Sequence, residues 1–278
     1  MTVSTLTNDR LNIHQVTLMQ CDFRQSIECL ARHGITHTAV WREKLDEIGL
    51  SEAQVILRDH NMTIDALCAG GFVTEDTSTD FVSVTDSNRR WLDQAATLGA
   101  RSLVTITGGF SEGSKDLSRA RARAVEGIER LIPHARATGV KLAIEPLHPM
   151  VCGYRSVIST VSEALDLLDT LDANDVLGLA IDSYAVWWEP GLQDAIARAG
   201  NRILHFHVSD WLRDTESVRL DRGMPGDGVI ENRKIRSWIE AAGYFGQVEV
   251  EIFSEKNWWQ RPVDEVVETI LTRMGDHL

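Results

Sequence analysis

Four ionisable side chains each end an apolar stretch that is typical of a buried strand. The stretches are KLAIE, LGLAID, ILHFH and QVEVE, which end at Glu145, Asp182, His207 and Glu251. A buried charge without a partner is strongly destabilising, and one cation shared by all four side chains would offset that cost. The pattern therefore predicts a metal site, although either glutamate taken alone would also fit a buried ion pair.

The residue types indicate which ion such a site would bind. Three carboxylates and one neutral imidazole form a ligand set that is mostly oxygen. This set suits Mn²⁺, Mg²⁺ or Co²⁺ better than the thiolate-rich sites that zinc favours, and Zn²⁺ stays an alternative. We therefore expect one divalent metal ion as the cofactor, with Mn²⁺ as the first choice.

Alternating strands and helices must position these residues. Four further strand-like stretches come earlier in the chain, namely LNIHQV from residue 11, HTAVW (37–41), TIDALC (63–68) and SLVTIT (102–107). A helical pattern follows every strand, and one of them places Val161, Ala164 and Leu168 on a single face. The Arg/Ala-rich segment near 117–138 predicts one long helix. Eight repeats of strand and helix result.

Glycines lie between several of the predicted helices and the strands that follow them. Five of them fall just past a helix and just before a strand, where a left-handed closing residue is favoured, namely Gly34, Gly99, Gly139, Gly200 and Gly243. Eight strand and helix units in 278 residues predict an α/β fold, a single (β/α)8 TIM barrel that occupies residues 1–278. The alternative is an open doubly wound sheet, which is disfavoured because no GxGxxG turn follows the first strand.

Other polar residues follow the same strand ends, where TIM barrels carry their functional groups. His148 in EPLHP and Asp210 in HVSD lie just past the fifth and seventh strands. A neutral imidazole can move protons near pH 7, so we expect His148 to be catalytic and Asp210 to orient a substrate. Arg222 in the turn DRGMPGDG suits a substrate hydroxyl, carboxylate or phosphate. Each of the three would also fit an ordinary loop residue.

Tryptophans are concentrated after the strand ends. Six of the eight lie there, namely Trp41, Trp187, Trp188, Trp211, Trp258 and Trp259. Indole rings offer flat apolar faces beside a donor, which suits a carbohydrate or an aromatic glycoside. We expect Trp41 and Trp187 to contact the substrate. A subunit interface near the barrel mouth, in a homo-oligomer or with a second subunit, is the competing use of such aromatics.

Two more ionisable residues are expected one layer deeper in the barrel. Strand alternation places His205 and Glu249 on the same side as His207 and Glu251. We expect His205 to be a hydrogen-bonded core residue rather than a ligand. Glu249 would either need a buried partner or reach solvent at the bottom of the barrel.

Composition excludes several classes of partner. A formal net charge of −13 would repel a phosphate backbone, so we expect no nucleic acid partner. No stretch is apolar over the roughly 18 residues that a membrane helix needs, and the first residues lack the apolar core of a signal peptide. We therefore expect a cytoplasmic protein without a membrane partner. The four cysteines lack CxxC spacing and are expected to be reduced thiols.

The ordered set of Glu145, Asp182, His207 and Glu251 resembles a known family. Together with HVSD and the RxxPGxG turn that begins at Arg222, it is similar to the sugar phosphate isomerase/epimerase family with the xylose isomerase-like TIM barrel fold. The resemblance covers almost the whole chain. It implies one divalent metal bound by these four residues and an isomerase or epimerase that acts on a small sugar or cyclitol.

A narrower similarity is carried by the strings LCAGGF, EPLHPM, DSYAVWW, VSDW, DRGMPGDG and EVEIF. They resemble the α-subunits of C-glycoside deglycosidases, which act on 3-oxo-glycosides, and the relatives of those subunits. One position departs from the family, because many relatives have His three residues after the metal-binding Asp, and this chain has Ala185. The resemblance therefore implies that a substrate contact or proton shuttle is missing, and His148 could take over the proton transfer.

The charge arrangement indicates the chemistry. A metal that binds a carbonyl and its neighbouring hydroxyl stabilises an enediolate, so a base can remove the α-proton near neutral pH. Glu145 and Glu251 can serve as ligands and also as base and acid on the two faces of a sugar. We therefore expect a metal-dependent isomerase or epimerase of a free sugar, cyclitol or oxo-sugar, with a lyase that acts on 3-oxo-glycosides as the alternative.

Two hypotheses of other classes use the same residues differently. A non-catalytic carbohydrate-binding partner subunit would fit Ala185 and the tryptophan-rich rim. An abasic-site endonuclease has the same fold, but it needs ligands for several zinc ions and a basic face, and this chain has neither.

Overall fold

The computed structural model describes residues 5–75 and 81–278 of the chain. Eight strands form a closed barrel in which all neighbours are parallel. The barrel strands are β1 (Leu11–Ile13), β2 (His37–Trp41), β3 (Thr63–Gly71), β4 (Ser102–Ile106), β5 (Lys141–Ile144), β6 (Leu177–Asp182), β7 (Ile203–Val208) and β10 (Val248–Val250). Because β10 pairs with both β7 and β1, the barrel closes, and the predicted (β/α)8 fold is confirmed.

Helices separate the strands along the chain. The described helices are α1 (Phe23–Arg32), α2 (Arg42–Ile48), α3 (Leu50–Asp59), α4 (Val82–Leu98), α5 (Leu117–Glu129), α6 (Ile132–Thr138), α7 (Val161–Leu171), α8 (Ser183–Val186), α9 (Leu192–Ala199), α10 (Asn232–Ala241) and α11 (Val263–His277). α7 buries Val161, Ala164 and Leu168, as the sequence predicts. Among the described helices, none is long and apolar enough to cross a lipid bilayer.

The prediction of one long helix near 117–138 is wrong, because the structure has two helices there. α5 ends at Glu129, and α6 begins at Ile132 with Pro133 in its first turn. Proline has no backbone N–H and its ring clashes with the preceding turn, so a continuous helix is interrupted at this point. Proline is tolerated in the first turn of a new helix, which is the position that the break gives it.

The predicted closing glycines share a positive φ, although Gly200, with φ 53° and ψ −128°, lies outside the left-handed helical region. All five have positive φ, namely Gly34, Gly99, Gly139, Gly200 and Gly243. Gly99 and Gly139 end α4 and α6 in the left-handed conformation, and each donates its N–H to a carbonyl of the last helical turn. A side chain would strain the backbone there, so the glycines end these helices just before the next strand.

A two-stranded antiparallel ribbon follows β7. It pairs β8 (Asp210–Trp211) with β9 (Arg222–Gly223). The buried carboxylate of Asp210 accepts hydrogen bonds from two backbone N–H groups of the turn after β9, at 2.8 and 2.9 Å. These bonds fix the turn, and the ribbon therefore holds Arg222 at the carboxyl end of the barrel.

The barrel interior contains buried polar residues, and the main apolar core contains the buried faces of strands and helices. Near the amino ends of the strands, the buried carboxylate of Asp65 is hydrogen-bonded to Asn12 and His37. A smaller apolar cluster includes alanines from four strands, namely Ala39, Ala66, Ala143 and Ala180.

Candidate metal centre

Three of the four predicted ligands converge at the carboxyl end of the barrel. Glu145 follows β5, His207 lies near the end of β7, and Glu251 follows β10. Their ligand atoms all lie within 4.8 Å of one another. His207 Nδ1 is 3.0 Å from Glu145 Oε1 and 3.9 Å from Glu251 Oε2. The three side chains are buried, so their mutual proximity creates the demand for a cation that the sequence predicted.

Asp182 joins the same cluster through Arg222. One guanidinium nitrogen, Arg222 Nη1, lies 2.8 Å from Asp182 Oδ2 and 3.2 Å from Glu251 Oε2. Asp182 is fully buried at the end of β6, and its other oxygen accepts the N–H of Tyr184 at 2.9 Å. The ring of Tyr184 lies 4.4 Å from the centre of the guanidinium. Arg222 therefore bridges two carboxylates of the predicted metal site.

The three converging donors of Glu145, His207 and Glu251 fit one divalent ion. Metal–ligand bonds of about 2.1 Å place neighbouring ligand atoms roughly 3 to 4 Å apart. The distances from His207 Nδ1 to the two glutamates, 3.0 and 3.9 Å, lie in that range. The second ring nitrogen, His207 Nε2, is buried without a hydrogen bond and faces Glu249 Oε2 at 3.8 Å. A metal-binding histidine commonly turns its second nitrogen toward a carboxylate in this way.

A buried layer supports the site from below. Glu249 is fully buried and is hydrogen-bonded to His205 Nδ1 at 2.6 Å and to His14 Nε2 at 3.0 Å. The alternative that Glu249 reaches solvent is therefore wrong, and His205 is the hydrogen-bonded core residue that the sequence predicts. His14 links the two layers, because its other nitrogen lies 3.3 Å from Glu251 Oε1.

His14 is a site residue that the sequence reasoning missed. The sequence contains the relevant pattern, because His14 directly follows β1 just as the glutamate ligands directly follow their strands. The strand is only three residues long and contains Asn12, so its apolar character is weak. A search for ionisable residues after long apolar stretches therefore passes over it.

Burial and neighbouring charges shift the protonation equilibria of the cluster. Burial raises the pKa of Asp182 to about 6, and the nearby glutamates add to the rise although Arg222 opposes it. Burial also raises the pKa of Glu251, but His14 and Arg222 outweigh this effect and hold the pKa below its usual value. For His207, burial lowers the pKa, whereas the neighbouring glutamates raise it to about 9. Without a metal ion, the cluster therefore keeps a proton on His207 at neutral pH.

A cavity adjoins the cluster. Glu145, Glu251 and Arg222 line it together with Trp41 and His148. Apolar walls with a few convergent polar groups are typical of a small-molecule site. Burial lowers the pKa of the His148 imidazole, which is therefore neutral at pH 7 and able to accept a proton. The structure thus brings the predicted catalytic residues together around one space.

Ala185 also lines this cavity. The position at which many relatives carry His therefore faces the space where a substrate would bind. An alanine there fills less volume than a histidine would. It also offers no polar contact to a substrate.

Two predicted substrate residues do not line the cavity. Trp187 packs beside Trp211, with ring centroids 6.0 Å apart, and its contact with substrate stays a prediction. Asp210 is buried, and its carboxylate accepts backbone hydrogen bonds from the turn after Arg222. The structure therefore assigns Asp210 to the positioning of Arg222, in place of the predicted direct contact.

The tryptophans predicted at this face have different surroundings. Trp41 lines the cavity. Trp188 and Trp211 contact the ring of His148, with centroid distances of 5.7 and 4.7 Å. Trp259 donates its ring N–H to two backbone carbonyls and so fixes the loop after β10. Trp41 therefore contacts the cavity directly, whereas the other three tryptophans pack against His148 or fix a loop.

Arg155 and Arg219 also line the cavity, and the sequence reasoning missed both. Arg155 lies in the segment between β5 and α7, and Arg219 lies in the loop between β8 and β9. Neither residue directly follows a strand. Because loop residues carry no periodic pattern, only the folded chain shows that they reach the cavity.

A model of the xylose isomerase-like TIM barrel family matches residues 26–272. The chain belongs to this family. The match spans all four predicted metal residues, and it confirms the resemblance seen in the sequence at the level of the family. The narrower similarity to C-glycoside deglycosidase α-subunits stays a prediction.

Similar proteins have been described in solved structures and among curated proteins. Protein SMc04130 from Sinorhizobium meliloti 1021 is 46% identical, with a TM-score of 0.93 and coverage of 96% of this chain and 98% of that one. A D-psicose 3-epimerase from Enterocloster bolteae is 27% identical over 161 residues, which are 55% of this chain and 50% of the epimerase. The chain thus spans about half the length of this curated relative.

A third comparison shows the fold alone. The structure of the IolI protein with a bound zinc atom has a TM-score of 0.81 at 19% identity and covers 95% of each chain. A barrel of this architecture can therefore hold a divalent ion in at least one protein.

Proposed function

We propose that this protein is a divalent-metal-dependent isomerase or epimerase that acts on a free sugar, cyclitol or oxo-sugar. One observation carries the proposal, namely that buried carboxylates and His207 form a single cluster beside a cavity that two of the carboxylates line. Glu145, Asp182, His207 and Glu251 would hold the ion. We favour Mn²⁺ for this mostly oxygen set, with Mg²⁺, Co²⁺ and Zn²⁺ as alternatives. Family membership and the similarity to a D-psicose 3-epimerase support the same reaction class.

The two cavity glutamates are suited to move the proton. The bound ion would stabilise the negative charge that develops on the substrate oxygens when a proton leaves the carbon beside a carbonyl. Glu145 and Glu251 reach the cavity from strands that β6 and β7 separate, so they can approach a sugar from different sides. Return of the proton to the neighbouring carbon gives an isomer, and return to the opposite face gives an epimer.

Neighbouring residues set the protonation states for this transfer. The pKa of Glu251 lies below its usual value, so the carboxylate is ionised at neutral pH. His148 is neutral at that pH and half-buried at the cavity wall, where it can pass a proton between the cavity and solvent. Arg222 orients the carboxylates of Asp182 and Glu251 and offers donors to a substrate hydroxyl.

Deuterium exchange tests the proposed reaction. Metal-loaded protein is incubated with ketoses and oxo-sugars in D2O, and we expect deuterium to enter the carbon beside the carbonyl without bond cleavage. Glu145→Gln and Glu251→Gln should each lower the exchange rate by roughly 100-fold or more, since each removes a proton-transfer group. Glu129→Gln, at an exposed position on α5, is the matched control and should leave the rate unchanged. Equal rates in all three variants would contradict the proposal.

A lyase that acts on 3-oxo-glycosides is the second candidate function. It is favoured by the apolar part of the cavity wall, which Leu147, Val151, Val218 and Phe253 line and which could accept an aglycone. Removal of the same α-proton expels a leaving group from the β-carbon. Release of the aglycone from a 3-oxo-glycoside, measured in the same incubation, would therefore favour the lyase over the isomerase.

A further inference from the structure

Two arginines in the cavity wall have no ion-pair partner among the residues that the structure describes. Arg155 and Arg219 line the same cavity as Glu145 and Glu251. Neither forms an ion pair with a carboxylate in residues 5–75 or 81–278, whereas Arg222 pairs with two carboxylates. The two positive charges are therefore available to a molecule that enters the cavity.

The position of Arg155 in the cavity wall is electrostatically unfavourable. Its guanidinium lies over the ring of Phe72, with the central carbon 5.3 Å from the ring centroid. Burial lowers the pKa of Arg155, and the nearby charge of Arg219 lowers it further. Arg219 is exposed at the edge of the cavity, and an anion that contacts both guanidinium groups would offset their mutual repulsion.

The metal centre does not supply this anion. Glu145 and Glu251 attract Arg155, but their charges are already engaged at the centre. The three carboxylates there would be balanced by one divalent ion and the guanidinium of Arg222. Glu75 interacts with the charge of Arg155, but the two side chains form no ion pair. The cavity with a bound ion therefore keeps an excess of positive charge at Arg155 and Arg219.

The backbone holds both arginines at the cavity. The N–H of Arg155 donates to the carbonyl of Val151 at 2.8 Å. Next to Arg219, the carbonyl of Leu220 accepts the N–H of Glu255 at 3.0 Å. These bonds fix the backbone beside both arginines, which limits the positions that the two side chains can reach.

We propose that Arg155 and Arg219 form a subsite for an anionic group, a carboxylate or a phosphate, of a sugar or cyclitol substrate. The inference rests on the proposed function and deepens it, because it names anionic sugar derivatives as the substrate class. A planar guanidinium presents a fork of N–H donors that matches the oxygens of either anion. The reacting carbonyl would lie toward Glu145 and Glu251, and the anionic group toward the two arginines.

Equilibrium binding tests the subsite. Calorimetric titrations of the metal-loaded protein use three ketoses, namely neutral D-fructose, 2-keto-D-gluconate with a carboxylate, and D-fructose 6-phosphate. At least one anionic sugar should bind roughly 10-fold or more tightly than D-fructose, since hydrogen bonds to charged groups are the stronger ones. The carboxylate and phosphate arms show which anion the subsite prefers.

Variants link the preference to the two residues. In the double variant Arg155→Gln/Arg219→Gln, the preference should disappear, so that the anionic sugars bind no more tightly than D-fructose. Arg213→Gln removes an exposed arginine from the same loop and should keep the preference. Arg155→Lys retains the positive charge and should keep part of the anion preference. That result would show that the loss in the double variant does not come from unfolding. Equal affinities for the three sugars, no binding of either anionic sugar, or a preference that survives in the double variant would overturn the proposal.

Solvent-deuterium exchange on the same sugars separates the two proposals. Exchange on D-fructose without any anion preference would retain the isomerase and remove the subsite. An arginine-dependent anion preference without exchange on any of the sugars would retain the subsite and remove the isomerase.

Discussion

Arg222 donates a hydrogen bond to Asp182 across 2.8 Å, and both side chains are buried at the barrel mouth. The same guanidinium nitrogen faces Glu251, so it neutralises carboxylates that would otherwise repel each other. A metal ion would provide the same neutralisation. Arg222 is therefore coupled to the metal site in stability as well as in substrate binding.

Replacement of Arg222 should destabilise the metal-free protein most. Arg222→Met leaves Asp182 buried without its partner, and removal of one partner of a buried pair costs about 3 to 5 kcal/mol. Added Mn²⁺ should restore much of the loss, because the ion neutralises the same carboxylates. Unfolding measured with a chelator and with Mn²⁺ checks this, and Arg213→Met is the exposed control. The same loss under both conditions would count against a shared site.

Metal binding should release about one proton per ion near neutral pH. His207 has a pKa of about 9 in the metal-free protein, so its ring must lose a proton before Nδ1 can bind the ion. The affinity for Mn²⁺ should therefore rise with pH until it passes about 9. Calorimetry in buffers of different ionisation enthalpy measures the proton count. An enthalpy that is independent of the buffer would contradict His207 as a ligand.

The metal-free protein should lose stability as the pH rises. Burial lowers the pKa values of His14 and His207, but the neighbouring carboxylates outweigh it and raise them to about 10 and about 9, above the ordinary 6.5. The protonated rings therefore stabilise the fold fully below pH 6.5, and this contribution is lost as the pH rises through 9 and 10. Melting temperatures measured with a chelator across this interval should fall. A rising profile would show that the histidines are neutral in the fold.

The strand ends explain how much of the site the sequence could predict. Glu145, Asp182 and Glu251 were found because a charge after a buried apolar stretch has few structural explanations. The closed barrel followed from eight repeats, but the interruption at Pro133 was missed because the helical pattern continues across it. Arg155 could not be predicted, since its approach to the cavity depends on how a loop folds over the barrel and leaves no periodic signal.

His14 should increase the metal affinity of the site without binding substrate. It is hydrogen-bonded to Glu249 at 3.0 Å and lies 3.3 Å from Glu251, so it orients one metal-binding carboxylate. Partners of metal ligands typically contribute about 10- to 100-fold to metal affinity. We expect His14→Gln to weaken Mn²⁺ binding by that amount in calorimetry. His134→Gln, whose partner is an exposed aspartate, is the control, and equal affinities in the two variants would contradict the role of His14.

The most direct test of the metal centre is anomalous diffraction from crystals grown with Mn²⁺. The account predicts one strong peak at about 2.2 Å from side-chain atoms of Glu145, Asp182, His207 and Glu251. A peak on another group, such as His14 and Glu249, or a cluster without any peak at saturating Mn²⁺, would contradict it.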